Sequence, residues 1–351
     1  MTLLIVSVMA LPELKYDYTH FIDKSTLLFG VTGSGKSIII VDILHKLQGH
    51  IDQALVISPM DRQNHTYDQG IIPPPCIHYE ITSELLTNMW ERQVALVNVY
   101  TRANDPAIID TLFRLCNNSN AVRFIAAAKE KSEQHQAQIR MAGGNDVSTK
   151  IASVELKCKT VISSIMKRTI TENRKTLERM GLDDDHMFSL KYLNLNPKLV
   201  LILDDCTDML MKFKSHPVVQ KLFYQGRWAH ITFLIACHTD KALSPELKKN
   251  AFINIFAEPT SANSYIERKT NDLDKGSKIN AKQAIDCAFT PLAKYQKLAL
   301  IREDKSYYRF TAELHPAFKF GSEMIWKFCD KITVDANNAV STNRFIQKFD
   351  V

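Results

Sequence analysis

The stretch Gly30-Val-Thr-Gly-Ser-Gly-Lys-Ser37 decides the fold, because it matches the pattern G-x-x-x-x-G-K-[S/T] at every fixed position. Its glycines permit a tight loop whose backbone N–H groups can approach a phosphate without a clash with a Cβ atom. In this pattern the Lys36 ammonium contacts the β- and γ-phosphates of a nucleotide, and the Ser37 hydroxyl is a ligand of Mg²⁺. The predicted ATP-binding residues are Gly30, Val31, Thr32, Gly33, Ser34, Gly35, Lys36 and Ser37.

The sequence on either side of this loop, the P-loop, has the context that the motif requires. An apolar run at 27–29 precedes it and a helical pattern at 38–47 follows it. A second apolar run, 54–57, ends at Ser58-Pro59. Short apolar runs bounded by turn residues are typical of buried parallel strands, so these segments predict a strand–helix–strand unit.

A pair of acidic residues follows a later apolar run. Residues 199–203 predict a buried strand, and Asp204 and Asp205 come directly after it. Ligands of open α/β sheets bind beyond the carboxyl ends of the strands, so both carboxylates are expected near the P-loop. We assign Asp204 to the magnesium shell, and Asp205 to orienting or polarising the water that attacks the γ-phosphate.

The remaining patterns predict an α/β fold, in which a mainly parallel sheet is flanked by helices. Further strands are expected at 231–235 and 252–256, with a late hairpin at 298–301 and 307–311. A helix should begin near Pro217, with Ser215 as its cap. The apolar run 2–11 is expected to be a buried strand rather than a signal peptide or membrane span.

Residues 83–185 predict a largely helical, basic insertion between two parts of an ATPase core, 1–82 and 186–351. Apolar residues at helical spacing in this segment alternate with basic ones. They are Ile151, Val154, Cys158, Val161, Ile162 and Ile165. Between Arg123 and Arg179 there are 12 Lys and Arg against 6 Asp and Glu. Such charge usually marks a solvated face, but it also suits a DNA path or a capsid partner.

The composition of the 351 residues is that of an ordinary globular protein, with 45% hydrophobic and 23% charged residues. The net charge of +6 is compatible with contact to nucleic acid without demonstrating it. The seven cysteines are widely spaced and contain no C-x-x-C pair, which favours reduced thiols over a disulfide scaffold or a structural zinc site. No stretch is long and apolar enough to predict a transmembrane segment.

Together, the P-loop, the Ser58-Pro59 turn and the strand that ends in Ala236-Cys237-His238 resemble the FtsK–HerA superfamily of ring-forming, RecA-like DNA translocases. Within it, the chain looks like the packaging ATPases of nucleocytoplasmic large DNA viruses, and most like the asfarvirus member. Gln225-Gly-Arg-Trp228 is similar to a Gly-Arg-His element of that group, and residues 243–250 are similar to its approach to the next strand.

The resemblance implies an ATP- and Mg²⁺-dependent motor that moves double-stranded viral DNA into the capsid. It implies a homo-oligomeric ring of about five or six subunits. It also implies capsid or membrane-associated virion proteins as partners, and a location at the assembly site in the host cytoplasm or on the virion. Arg227 would reach the nucleotide of a neighbouring subunit, and His238 would sense the γ-phosphate or the attacking water. The chain departs from the family at His238, where glutamine is usual, and at Lys248 and Lys249, where an arginine is frequent.

Two other functions fit the same motifs. A nucleoside or small-molecule kinase shares the P-loop but needs an arginine-rich lid and an acceptor pocket, for which the basic insertion is a candidate. A nucleotide-gated assembly scaffold would bind ATP without appreciable turnover. The sequence contains no L-S-G-G-Q-like stretch, which argues against an ABC transporter subunit, and its Leu-Asp-Asp-Cys acidic pair argues against a DEAD-box helicase.

Overall fold

The computed structural model describes residues 11–144, 146–271, 274–290 and 295–336. The chain forms two compact units. The first unit comprises the residues up to Val94 together with those from Pro197 onward, and the second comprises Ala95–Asn196.

The first unit contains a sheet whose eight strands, within the described residues, have the order β3-β2-β4-β5-β1-β6-β7-β8. β1 to β6 run parallel, and β7 and β8 form the predicted antiparallel hairpin at one side. The strands are β1 Ser25–Phe29, β2 Gln53–Ile57, β3 Ile77–His78, β4 Leu199–Asp204, β5 Ile231–Cys237, β6 Ile253–Phe256, β7 Lys297–Ile301 and β8 Ser306–Phe310.

Helices account for most of the remaining regular structure. Helix α3 begins in the first unit and ends in the second. Short 3-10 turns lie at Tyr18–His20, Pro74–Cys76, Asp240–Ala242 and Lys269–Asn271. In chain order the helices are α1 Lys36–Leu47, α2 Asp61–Asn64, α3 Ser83–Ala103, α4 Pro106–Leu115, α5 Ser119–Ala142, α6 Val147–Glu172, α7 Arg174–Glu178, α8 Asp184–Tyr192, α9 Thr207–Phe213, α10 Pro217–Gln225, α11 Pro245–Lys249, α12 Pro259–Glu267, α13 Lys275–Ala288 and α14 Glu323–Ala336.

The sheet is buried on both faces, as its continuous apolar strands predict. Successive side chains of a strand point to opposite faces, and β4 shows this directly. Leu201 and Leu203 belong to one hydrophobic core, and Val200 and Ile202 belong to the other. All four side chains are completely inaccessible to solvent, so neither face of this part of β4 contacts water.

The strand order brings distant segments to one edge of the sheet. β5 lies between β1 and β4, and its register pairs Cys237 with Phe29 and Ala236 with Asp204. The ends of these three strands therefore meet beside the P-loop, at the carboxyl edge of the sheet. β7 runs antiparallel to β6, so its first residue, Lys297, comes to the same edge.

One predicted cap is wrong. Ser215, the predicted cap of α10, does not cap the helix, because the His216 side chain accepts the bond from the Val218 N–H group, at 3.3 Å. Pro217 occupies the first helical position, and the residue directly before it therefore takes the cap. Of the predicted N-terminal strand, residues 2–10 lie outside the described residues.

The second unit is largely helical. Its small core is made of Ile109, Leu112, Ile170, Leu177, Leu190 and Leu193. The predicted insertion, 83–185, and this unit have different bounds. The first turns of α3 carry Leu86 and Trp90 into the core of the first unit, and Leu190 on α8 packs in the second unit beyond residue 185. None of the described helices is long and apolar enough to cross a bilayer.

Candidate nucleotide site

The P-loop has the backbone that its glycines predict. Gly33 and Gly35 have φ angles of 78° and 92°, in the left-handed region that favours glycine. Gly30 is required for a different reason: a Cβ atom there would lie 2.5 Å from Ser34 Oγ and 2.9 Å from the Ala257 Cβ. A side chain at Gly33 or Gly35 would strain the loop, and a side chain at Gly30 would clash with Ser34 and Ala257.

Lys36 lies at the start of α1, directly after the loop, and is almost fully buried. Its ammonium donates to the carbonyl oxygens of Gly30 and Val31, at 2.7 and 3.0 Å. Burial lowers the pKa of this ammonium, and the negative charges of Asp204 and Asp205 oppose that shift. A buried cation at the N-terminus of a helix is a suitable partner for phosphate.

The two predicted magnesium ligands are in contact. The Ser37 hydroxyl donates to Asp204 Oδ2 at 2.9 Å, although the residues are 167 positions apart in the sequence. The completely buried Tyr67 hydroxyl donates to the same oxygen at 2.8 Å. Tyr67 is itself held by its N–H group, which donates to Asp61 Oδ1 at 2.9 Å. Asp204 is thus fixed from the P-loop helix and from the segment after α2.

The Asp204 carboxylate lies in an environment that disfavours its charge. It is 5% exposed, and burial raises its pKa. The hydrogen bonds from Tyr67 and Ser37, and the charge of Lys36, oppose this rise. A bound divalent cation would favour the charged carboxylate in the same way, so the electrostatics of the site suit one.

Asp205 and His238, which were predicted separately as catalytic residues, contact each other. Asp205 directly follows β4 and has a φ of 58°, which is uncommon outside glycine. Its Oδ1 contacts His238 Nε2. The His238 N–H group also donates to Thr207 Oγ1 at 2.9 Å. The end of β5 is thereby tied to the end of β4, beside Ser37 and Asp204.

Three further residues lie at this edge that the sequence analysis did not assign. Tyr67 is the first. Glu258 Oε1 accepts from the Val31 N–H group of the loop at 3.1 Å. Lys297 donates to Ser34 O at 2.8 Å and to Ala257 O at 2.9 Å, so it joins the loop to the end of β6. Only the strand order, and no local motif, places Glu258 and Lys297 here.

Arg227 does not lie with these residues. It precedes β5, at the amino edge of the sheet, where its side chain is exposed. Its guanidinium lies 5.9 Å from the centre of the Phe252 ring, just before β6 begins. Within its own chain, Arg227 is therefore separated from the P-loop by the length of the strands.

The chemistry of the carboxyl edge fits a triphosphate with Mg²⁺. The Ser34 hydroxyl oxygen is buried at the loop and has no hydrogen-bond partner among the described residues, so it is available to a ligand. The Ser37 hydroxyl and the Asp204 carboxylate supply the hard oxygen donors that Mg²⁺ prefers. Lys36 supplies the cation for the phosphates.

Comparison with known proteins finds relatives among viruses. No protein-family model matches the chain. Protein B354L of African swine fever virus is 30% identical over 349 residues, which span 93% of this chain and 94% of the relative. Protein L437 of Acanthamoeba polyphaga mimivirus is 38% identical over 77 residues, or 22% of this chain and 26% of that protein. Both relatives are uncharacterised proteins.

Solved structures show more distant likenesses. The genome packaging NTPase B204 of Sulfolobus turreted icosahedral virus 2, in complex with ATP-γ-S, has 14% identity and a TM-score of 0.38, covering 83% of this chain and 98% of that one. The pCW3 conjugation coupling protein TcpA has 12% identity and a TM-score of 0.39, covering 90% of this chain and 65% of that one.

Proposed function

The chain belongs to the family of the African swine fever virus protein B354L, and from this premise we propose that it hydrolyses ATP to move double-stranded DNA. The observation that carries the proposal is the contact of Ser37 with Asp204 beside the buried Lys36. These are the groups that phosphoryl transfer needs, because its catalysis is mostly positioning and charge stabilisation. They come from the start of α1, which follows β1, and from the end of β4, so segments that are distant in sequence meet at one edge of the sheet.

In this proposal each side chain has one task. The loop N–H groups and Lys36 bind and orient the phosphates. Ser37 and Asp204 would hold Mg²⁺, which would supply charge neutralisation for the phosphates. Asp205, aligned by His238, accepts a hydrogen bond from the attacking water and polarises it. Arg227 acts on the nucleotide of a neighbouring subunit.

The cellular role goes further than the chemistry. The motif resemblance supports a homo-oligomeric ring that packages viral DNA at the assembly site in the host cytoplasm. Capsid or membrane-associated virion proteins would be its docking partners. The basic second unit supports contact with DNA, because non-specific DNA binding depends mainly on neutralisation of phosphates.

Product analysis of the purified full chain with ATP and Mg²⁺ tests the proposal. We expect release of free phosphate that double-stranded DNA stimulates at low salt. Lys36→Ala should lose nucleotide binding and turnover, whereas Lys212→Ala, an exposed lysine on α9, should keep both. A phosphorylated acceptor without free phosphate would identify a kinase. Binding of ATP by the wild type with negligible turnover would identify a scaffold.

A further inference from the structure

Helix α6 of the second unit presents two neighbouring rows of side chains to one groove. Residues four apart lie on the same side of a helix, so each row forms a ridge. The groove has a volume of about 890 Å³. The rows are Lys159, Ser163 and Lys167, and beside them Thr160, Ser164 and Arg168.

Nearly every polar side chain of these rows can donate a hydrogen bond. Lysine and arginine have donors only, and the Ser163 and Ser164 hydroxyls can donate to an oxyanion. The Thr160 hydroxyl instead donates to Leu156 O at 2.9 Å. The one carboxylate among the lining residues, Glu172, accepts from Arg168 Nε at 2.8 Å. The Arg168 side chain nevertheless stays 81% exposed, so its guanidinium is open to a second partner. This set of groups suits an anion and offers little to a cation.

The aromatic ring in the groove is not free for stacking. The Lys167 ammonium lies 5.4 Å from the centre of the Tyr100 ring. Single strands are bound mainly by bases that stack on exposed aromatic rings. Because a cation covers this ring, the groove favours the outside of a duplex over a single strand.

The extent and charge of the surface suit a long polyanion. The groove-lining stretch of α6 from Lys159 to Thr171 is about 18 Å long, at 1.5 Å per residue. A DNA duplex carries about one phosphate charge per 1.7 Å of axis, so roughly ten charges would pass along it. The second unit as a whole contains 15 Lys and Arg against 11 Asp and Glu, so the surroundings add to the attraction.

We propose that this groove of α6 binds the phosphate backbone of double-stranded DNA. The inference rests on the proposed function for the choice of DNA as the partner. It does not depend on ATP turnover, because none of the groove residues belongs to the nucleotide site.

The test measures binding of the full chain to a labelled 30-base-pair duplex, without nucleotide, over a range of salt concentrations. The groove variant is Lys159→Gln/Lys167→Gln/Arg168→Gln. Its matched control is Lys129→Gln/Lys150→Gln/Lys157→Gln, which removes the same charge from exposed positions of α5 and α6 outside the groove. Each lost phosphate contact should reduce the slope of log K against log salt by about 0.9. We expect the groove variant to lose a slope of about 2–3, with roughly a hundredfold lower affinity near 0.1 M salt, and the control to change by less than 1.

Three results would overturn the inference. Equal losses in both variants would mean that only overall charge matters. Unchanged DNA affinity in the groove variant would make the groove a solvated surface, or an acidic-peptide site if the same variant loses binding to polyglutamate. The charge-conserving variant Lys159→Arg/Lys167→Arg/Arg168→Lys should keep the wild-type slope, and its failure would attribute the loss to packing. If the wild type releases no phosphate from ATP, the proposed ATPase activity is contradicted. The DNA-binding test keeps its meaning, because it is made without nucleotide.

Discussion

The two edges of the sheet in the first unit carry charge in different ways. At the carboxyl edge, Lys36 is buried and donates to the loop carbonyls. Asp204 is also buried, and it accepts hydrogen bonds from Ser37 and Tyr67. At the amino edge, Arg227 is exposed. About 15 Å of strand separates the edges. Buried and satisfied groups are suited to a ligand of their own chain, whereas an exposed arginine at the far edge is suited to a second copy.

The largest expected effect is on ATP turnover, and it comes from removing Arg227 at the amino edge. We expect Arg227→Ala to keep ATP affinity and to lose about 10³–10⁵ in turnover, as is usual for an arginine that stabilises the transferring phosphoryl group. Because the arginine would act in trans, mixing Arg227→Ala with Lys36→Ala should restore part of the activity. A mixed interface is complete where the intact P-loop of an Arg227→Ala subunit faces the intact arginine of a Lys36→Ala subunit, and the opposite orientation lacks both groups. Phosphate release over a series of mixing ratios measures this.

Two results would contradict the role of Arg227. An arginine that acts within its own chain would give no recovery on mixing. An arginine that only packs on Phe252 would leave turnover nearly unchanged in Arg227→Ala. Arg227→Lys is the conservative comparison, and it should recover only a part of the rate because lysine lacks the planar fork.

Within the carboxyl edge, Asp205 and Asp204 should behave differently. We expect Asp205→Asn to keep ATP affinity and to lower turnover by about 10²–10⁴, which is the usual contribution of a general base. Asp208→Asn, an exposed carboxyl on α9, is the matched control. Single-turnover phosphate release, together with measured ATP binding, separates an effect on catalysis from an effect on ATP affinity. Loss of ATP binding in Asp205→Asn would show that this carboxylate shapes the loop instead.

Lys297 should have a smaller effect, on binding rather than on chemistry. Lys297→Met removes two bonds from an ammonium, to Ser34 O and Ala257 O, and leaves the loop less firmly joined to β6. We expect a roughly tenfold higher KM for ATP, with kcat changed by less than about threefold. Lys305→Met, an exposed lysine in the β7–β8 turn, is the control. A fall in kcat at unchanged KM would assign Lys297 to the transition state.

The smallest expected effect is on thermal stability. Asp204→Asn should stabilise the fold although it removes the activity. The pKa of Asp204 is raised by burial above its ordinary value of 3.8, so the folded state is penalised wherever this carboxylate is ionised. Asp204→Asn should therefore raise the Tm of the nucleotide-free chain by about 2–4 °C at neutral pH, while turnover is lost. The difference in Tm should shrink as the pH falls towards 4, because the wild-type carboxylate then becomes protonated. A lower Tm at pH 7 would show that the carboxylate stabilises the fold.

The sequence predicted the parts of this molecule whose signals are local. The P-loop, the apolar strands and the acids at the end of β4 are each recognisable within about ten residues. The described strands lie where the apolar runs indicated, except β3, which no apolar run predicted. The likeness to an asfarvirus protein, suggested by the motifs, is confirmed by the relation to B354L.

Residues positioned by long-range contacts could not be predicted in this way. Tyr67 reaches Asp204 across 137 positions, and Lys297 reaches Ser34 across 263. Nothing in the neighbouring sequence of either residue indicates its partner. Lys248 is a further example. Its Nζ forms a buried ion pair with Asp240 Oδ2 at 3.0 Å, and the sequence near Lys248 does not indicate this partner. The bounds of the second unit also depend on which core each turn of α3 and α8 enters.

The position of β1 within the sheet has a consequence for the synthesis of the chain. Its two neighbours are β5 and β6, which follow it by about 200 residues. At about 5–20 residues per second, the ribosome needs roughly 10–40 s to supply them. During that interval the strand that leads into the loop has neither of its native neighbours in the sheet. A fragment that stops before residue 231 would carry the complete glycine motif and still have no nucleotide site.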